Sequence, residues 1–237
     1  MWQELREELH PEGLEIVTVA LDSGGAEAAR PYVEAAGSRH PTLIDVGHSL
    51  DALLGVVNIP TGVWIDEAGM LVRAPETAAP QNMTRMLTNL ELPPETPRHV
   101  VEMVEESKRI RDYSESYIPA LRDWVDRGEE SPYALAPDEV VRRSRPRPPE
   151  VAAAAACFEL AQHLHRAGYP QDSVRWFREA HRLQPDNWTY RRQAWFFADP
   201  VLIGPREGAE DEWPYDGDWL TDTRKVGAAN YYEPPDL

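Results

Sequence analysis

The chain has 237 residues, room for one large domain or two small ones, and 42% of them are hydrophobic, enough for a core. Its formal net charge of −17 repels phosphate backbones, so we expect no nucleic-acid partner. Cys157 is the only cysteine, which excludes an internal disulfide and a cysteine-based metal cluster. We expect no cofactor, no metal and no membrane span, and a cytoplasmic location unless a preceding segment carries a leader.

The first quarter of the chain is predicted to alternate helices and strands. Hydrophobic spacing indicates a helix at the start, which Pro11 and Gly13 end. An apolar run then predicts a buried parallel strand. The predicted elements are a helix over 1–10, a strand over 14–21, a helix over 26–36, a strand over 41–45 and a helix over 48–55.

A β-hairpin is predicted next, from strands 62–66 and 70–74. Gly69 lies in the connecting loop and can supply the positive φ angle that a short hairpin loop needs. Alternating strands and helices followed by a hairpin indicate an α/β fold with a mixed sheet.

The middle of the chain is rich in proline and is predicted to be less regular. Residues 75–97 are expected to form loops, and residues 98–128 a helical segment bent near Pro119. Residues 129–149, which include "RRSRPRPP", are expected to be a linker.

The last third is predicted to be helical and then irregular. Residues 150–198 are expected to hold a helical hairpin that turns at Gly168–Pro170, followed by a third helix over 187–197. The acidic, aromatic tail, 199–237, shows little periodicity, so we expect it to wrap on the body or to be disordered.

Two motifs in the first 75 residues resemble the thioredoxin-like fold, in its TlpA/ResA-like branch of thiol–disulfide oxidoreductases. The stronger is "LLGVVNIPTGVWIDEAGMLV" at 53–72, and the other is "MWQELREELHPEGLEIVTVALD" at 1–22. The resemblance implies that residues 1–90 form an incomplete thioredoxin-like domain with a mixed sheet, followed by an α-helical C-terminal region.

The resemblance also implies a substrate-binding site at Ile59, Pro60 and Thr61. In the family the proline before this strand is cis, and the residue before it turns its backbone groups outward to pair with a peptide. A protein or peptide thiol or disulfide would then be the partner. The alternative is an ordinary trans proline at the start of an edge strand.

The catalytic part of the family pattern is missing. In the family, a central strand leads into Cys-x-x-Cys at the N-terminus of the helix that corresponds to 1–10, where the helix lowers the thiol pKa. We expect that the chain is an incomplete reading of a longer gene, and hypothesise that a selenocysteine codon was read as a stop. An in-frame TGA just upstream, flanked by strand-like codons and a Cys codon, would support this. The alternatives are a non-catalytic relative and a chance resemblance.

Residues 153–185 resemble one tetratricopeptide repeat. The matching positions are Leu160, Ala161, Gly168, Phe177, Ala180 and Pro185, whereas Cys157 and Ser173 depart from the pattern. One repeat cannot bury its faces alone, so this hairpin would dock on its own chain or on a partner. The alternative is a plain helical hairpin that completes the domain.

Two functions remain open at this stage. The first is a thioredoxin-like redox protein that lacks its catalytic cysteine or selenocysteine segment and is inactive as given, since no cysteine pair is present. The second is a non-catalytic interaction module that uses the Ile59–Pro60 edge and the helical hairpin. We interpret Cys157 as a small buried hydrophobe, and Asp22, Asp45 and Asp66 as capping or turn residues.

Overall fold

The computed structural model describes residues 2–80, 83–144, 147–198, 214–215 and 217–237. These residues form a mixed α/β structure with two two-stranded sheets and a helical C-terminal region, which confirms the expected fold class at that level. The chain divides into two compact units. The first unit holds Trp2–Ile59 and Arg145–Asp216, and the second holds Pro60–Ser144 and Gly217–Leu237.

The first unit opens with the predicted alternation of helices and strands. Its elements are α1 (Trp2–Leu9), β1 (Thr18–Leu21), α2 (Gly25–Ala36), β2 (Thr42–Asp45) and α3 (Ser49–Leu54).

The two strands of this unit, β1 and β2, run parallel, with Thr18 opposite Thr42. The predicted strand over 14–21 is too long, because the Leu14 amide donates to the Leu9 carbonyl at 3.2 Å and ties that residue to the end of α1.

The second unit begins with the predicted hairpin, formed by β3 (Thr61–Ile65) and β4 (Leu71–Thr77) in antiparallel pairing. Gly69 has φ 79° at the turn, as the sequence requires. The Asp66 carboxylate accepts from the Ala68 and Met70 amides, so its interpretation as a turn residue is confirmed.

Helices occupy more of the middle of the chain than the sequence predicts. The second unit continues with α4 (Met83–Thr88), α5 (Arg98–Ser107), α6 (Ser114–Arg127) and α7 (Pro137–Ser144).

Two sequence predictions for this region are therefore wrong, because the loop region contains α4 and the linker contains α7. The predicted helical segment is present as two helices, α5 and α6, with a break between them. One local contact and one long-range contact explain two of these differences. Asp112 accepts from the Ser114 amide at 3.0 Å where α6 starts, and Val140 of α7 is buried against β4.

An aromatic cluster forms the core of the second unit. The Trp64 indole stacks on Trp124 with ring centroids 5.1 Å apart, and its Nε1 donates to the Tyr117 hydroxyl at 3.1 Å. Burial raises the pKa of Tyr117 to about 12. Tyr117 and Trp124 of α6 therefore pack into this core, whereas Ile110 and Tyr113 lie in the break before α6.

The first unit is completed by the predicted helical hairpin and third helix. These are α8 (Pro149–Arg166), α9 (Pro170–Leu183) and α10 (Trp188–Ala198), and Gly168 has φ 88° at the turn. Phe158 of α8 stacks on Tyr190 of α10 with centroids 4.2 Å apart and meets Phe177 of α9 edge to face. Ala161, Phe177 and Ala180 are fully buried, as close helix packing requires.

Part of the tail, 199–213 with residue 216, lies outside the described residues. The part that belongs to the second unit contains α11 (Trp219–Val226), which packs on α5. Asp218 caps it by accepting from the Thr221 amide, so this part of the tail is helical although its sequence shows little periodicity. Across the described ranges, no helix is long and apolar enough to cross a membrane.

Candidate functional site

The three predicted substrate-binding residues are consecutive but fall on both sides of the division between the units. Ile59 ends the first unit, and its side chain is about one-third exposed, at 36%. In the second unit the Pro60 carbonyl accepts from the Ala78 amide at 3.1 Å, and Thr61 pairs with Thr77 in the hairpin. The Pro60 carbonyl is therefore engaged by the hairpin.

A cavity of about 170 Å³ lies in the first unit, at the carboxyl end of β1. The ends of parallel strands are common ligand sites in α/β proteins. One wall is a single face of α10, since its residues follow the i, i+3, i+4, i+7 spacing. The lining residues are Leu21, Asp22, His48, Ile59, Thr189, Arg192, Gln193 and Phe196.

His48 is placed in this cavity by an unusual backbone. Its φ of 55° is the only positive value at a non-glycine position among the described residues. The following residues start α3, whose first amides, Ser49 and Leu50, donate to the Asp45 carboxylate at 3.1 and 2.6 Å. Asp45 is thus confirmed as a capping residue, and the turn directs the His48 imidazole inward, where it is 3% exposed.

Both ring nitrogens of His48 face hydrogen-bond acceptors. Nδ1 lies 3.0 Å from Asp51 Oδ2, and Nε2 lies 3.2 Å from Gln193 Oε1. The Ser23 amide also donates to Gln193 Oε1, which identifies that atom as the oxygen. The His48 imidazole is therefore held on both sides by buried polar side chains.

The remaining groups around this pair are also buried. Thr189 Oγ1 lies 3.1 Å from Asp51 Oδ2 and donates to Asn187 Oδ1 at 2.6 Å. Ser23 Oγ donates to Gln162 Oε1. Asp51 Oδ1 and Gln162 Nε2 have no hydrogen-bond partner among the described residues. The network therefore retains buried polar atoms whose hydrogen-bonding capacity is not used within the described residues.

Asp22 completes the polar wall of the cavity. Its Oδ1 accepts from the Gly24 amide at 2.8 Å, as expected of a residue that turns the chain into α2. Its Oδ2 makes no hydrogen bond with any described residue. Across the cavity wall, Arg192 Nη2 donates to Asn58 Oδ1 at 3.2 Å. The cavity therefore presents one acidic and one basic side chain.

Cys157 does not belong to this site. It is half-buried against the aromatic cluster of α8–α10, and burial raises its thiol pKa. A raised pKa reduces the thiolate fraction, which agrees with our interpretation of a packing residue. His165, two residues from His163, packs on Phe197 with ring centroids 4.2 Å apart, and burial lowers its pKa.

Sequence reasoning missed the pairing of His48 with Asp51. The i, i+3 spacing was the only local signal, and it is common in helices. The partners that fix the imidazole, Gln193 and Thr189, lie about 140 residues later, which no periodicity reveals. Within the described ranges, no three His, Cys, Asp or Glu side chains are grouped to hold a metal ion.

The chain was compared with protein-family models, with curated proteins and with solved structures. None of the three comparisons finds a match to it.

Proposed function

We propose that this chain belongs to a thioredoxin-like thiol–disulfide oxidoreductase whose redox-active cysteine or selenocysteine lies outside these 237 residues, in a strand and motif that would lead into α1. The observation that carries the proposal is that each of the two sheets has only two strands among the described residues. Among the described residues β1 pairs with β2 alone, in parallel, and β3 pairs with β4 alone, in antiparallel. The family pattern requires one strand that pairs with both β1 and β3.

The other edge of the second-unit sheet supports this proposal. The Leu135 amide donates to the Val72 carbonyl of β4 at 2.9 Å, and the Tyr133 carbonyl accepts from Arg73. The loop before α7 therefore covers β4 on the side away from β3. This contact favours β3 as the edge at which an added strand would join, which is the edge that the family pattern predicts.

The chemistry of the present residues limits what they can do alone. Attack on a disulfide needs a thiolate, and release of the product needs a second thiol. Cys157 is the only cysteine, and its pKa is raised. Residues 1–237 by themselves should therefore neither reduce disulfides nor consume peroxide through a cysteine pair.

The proposal is tested with the chain alone and with the chain extended by the coding sequence upstream of Met1. We expect insulin disulfide reduction only from the extended protein, and loss of it when the added Cys or Sec is replaced by Ser. Amide hydrogen exchange gives a structural test of the same proposal. The extension should increase protection over Thr18–Leu21 and Thr61–Ile65 and leave α9 unchanged. Upstream DNA with stop codons and no strand-like coding sequence would disprove the proposal.

A non-catalytic interaction module is the second candidate, and exposed apolar side chains favour it. Ile59 is 36% exposed, and Leu160 and Tyr169 of the hairpin are 37% and 58% exposed. This candidate predicts that the chain binds extended, cysteine-free peptides, which can be measured by fluorescence anisotropy. Ile59→Asp should abolish binding, whereas Tyr32→Asp on α2 should not. Equal loss in both variants, or no binding by the unaltered chain, would eliminate this candidate.

A further inference from the structure

Residues 233–237, called here the tail segment, lie on the second unit and form neither helix nor strand. Tyr231 just before them is 4% exposed, and its hydroxyl accepts from the Trp219 indole, so this residue anchors the chain in the core. Each residue of the tail segment is exposed or half-buried. The segment can therefore leave the surface without exposing a buried side chain.

The backbone of Asp236 is bound at both of its polar groups. Its amide donates to Glu76 Oε2 at 3.0 Å, and its carbonyl accepts from Arg73 Nη2 at 2.6 Å. The Arg143 guanidinium group donates to the same carbonyl at 3.2 Å. Every peptide offers these backbone groups, so they supply affinity that does not depend on the bound sequence.

The side chain of Asp236 supplies the contact that depends on sequence. Its Oδ2 lies 2.7 Å from Arg143 Nη1, so the guanidinium group that contacts the backbone also pairs with the carboxylate. Pro234 and Pro235 come directly before it. Prolines favour an extended conformation that loses little entropy on binding. These contacts match an extended segment that carries an acidic residue after proline.

The surface that receives the tail segment is held in place by other contacts. Arg73 is 2% exposed and donates to Glu76 Oε2 at 3.0 Å and to the Tyr133 carbonyl at 2.9 Å. Arg143 Nε donates to Glu139 Oε1 at 2.6 Å. None of these bonds involves the tail segment, so both arginines remain oriented when the segment leaves.

We propose that Arg73, Glu76 and Arg143 form a binding site for an extended acidic segment of a partner protein, and that the tail segment occupies this site in the partner's absence. An acidic side chain of the partner takes the place of Asp236 beside Arg143. The partner's backbone bonds to Glu76 and Arg73 as the backbone of Asp236 does. The site does not depend on the proposed redox function, because none of these contacts uses a cysteine.

The experiment measures, by fluorescence anisotropy, how the full chain binds a fluorescein-labelled peptide that copies the tail segment, Glu-Pro-Pro-Asp-Leu-amide. The attached segment competes with this peptide, because its tether keeps it at a high effective concentration. Asp236→Pro weakens the competitor, since proline lacks both the N–H that donates to Glu76 and the carboxylate that pairs with Arg143. We expect this variant to bind the peptide at least about tenfold more tightly than the unaltered chain.

A control variant and a second peptide assign the effect to the proposed contacts. Glu233→Ala removes an exposed acidic side chain from the same segment and should change the peptide affinity by less than about twofold. A peptide with Asn in place of Asp should bind the Asp236→Pro chain about two- to fivefold more weakly, the range of a partly exposed ion pair. Adding Arg143→Gln should remove this difference between the two peptides.

The proposal is overturned if Asp236→Pro binds the peptide no more tightly than the unaltered chain, or if Glu233→Ala gains as much affinity. Equal affinities for the Asp and Asn peptides also overturn it. Light scattering tests whether copies of the chain exchange their tail segments. A dimer of the unaltered chain that Asp236→Pro dissociates would identify a second copy as the occupant and refute the proposed partner.

A measurement on the unaltered chain covers the case in which Asp236→Pro fails to fold. The unlabelled peptide must then shift the Leu237 methyl signals in NMR spectra saturably, because it displaces the tail segment from the site. Methyl signals that stay unchanged refute the site.

Discussion

Arg73 donates through Nη2 to the backbone carbonyl of Asp236 at 2.6 Å, although 163 positions separate the two residues in the sequence. Arg73 is 2% exposed, forms a two-armed ion pair with Glu76 and donates to the Tyr133 carbonyl. The Asp236 amide in turn donates to the same Glu76 at 3.0 Å. One buried guanidinium group thus attaches the end of the chain and the loop before α7 to strand β4.

The first prediction concerns this arginine. Arg73→Met should reduce the free energy of unfolding by ~3–5 kcal/mol, because it removes a buried guanidinium group and leaves the Glu76 carboxylate, whose side chain is 12% exposed, without its charged partner. Arg98→Gln is the control, since Arg98 makes an ion pair on the surface with Glu102 and should cost less than ~1 kcal/mol. Urea denaturation measures both values. Equal losses in the two variants would show that the Arg73 contacts contribute no more than a surface pair.

The second prediction concerns the close approach of Gly62 to Tyr117. A Cβ atom added at Gly62 would lie 2.7 Å from the Tyr117 hydroxyl oxygen and 3.1 Å from Ala78 Cβ. Gly62→Ala should therefore cost ~1–3 kcal/mol of stability through overpacking.

In a Tyr117→Phe background the same Gly62→Ala substitution should cost clearly less, because the closest atom has been removed. The four proteins form a double-mutant cycle, which calorimetry or urea denaturation can complete. An unchanged cost in the Phe background would mean that the hydroxyl contact is not the source of the strain.

Local patterns in the sequence predicted most elements of the first unit, and long-range contacts account for most of the errors. Helix α2 and its end at Gly37 follow from spacing and from the φ of 60° that glycine accepts. Helix α7 was missed because "RRSRPRPP" resembles a linker, whereas its stability depends on burying Val140 and on pairing Glu139 with Arg142 and Arg143.

The candidate site also depends on contacts that local sequence patterns cannot predict. Asp45 and Asp22 were interpreted correctly as capping or turn residues, because capping is a local interaction. No local sequence pattern identifies His48 and Asp51 as site residues, because their role depends on the α10 residues Thr189 and Gln193. Ile59 was chosen from a family motif, and its place in the cavity wall comes from the packing of α10.

The third prediction tests the buried pair of His48 and Asp51. Asp51→Ala leaves the buried His48 Nδ1 without its hydrogen-bond partner. We expect a loss of ~1–3 kcal/mol in the free energy of unfolding. Glu179→Gln, which breaks the exposed pair with Arg182, should cost less than ~1 kcal/mol.

A double-mutant cycle separates this pairing from a simple loss of packing. His48→Gln and Asp51→Asn, alone and combined, should give a coupling energy of ~1–3 kcal/mol if the two side chains stabilise each other. A coupling energy near zero would contradict a stabilising hydrogen bond between His48 and Asp51, whatever each single substitution costs.

The fourth prediction concerns acid stability at the start of the first unit. Arg6 donates to Glu15 at 2.6 and 2.9 Å, and the Ile16 amide donates to the same carboxylate. These bonds lower the pKa of Glu15 from 4.5 to about 2. Because the folded pKa lies below the ordinary value, this contribution to stability is complete above about pH 4.5 and is lost as the pH falls towards 2.

Two variants should remove this acid dependence by different routes. Glu15→Gln removes the titrating group, and Arg6→Gln removes the main cause of its lowered pKa, so each should flatten the fall in urea stability between about pH 4.5 and 2. The double variant should be no flatter than either single one, because both act on the same carboxylate. A slope that remains unchanged in Glu15→Gln would mean that other carboxylates control the acid unfolding of this chain, and that the Arg6–Glu15 pair is no stronger than an ordinary surface contact.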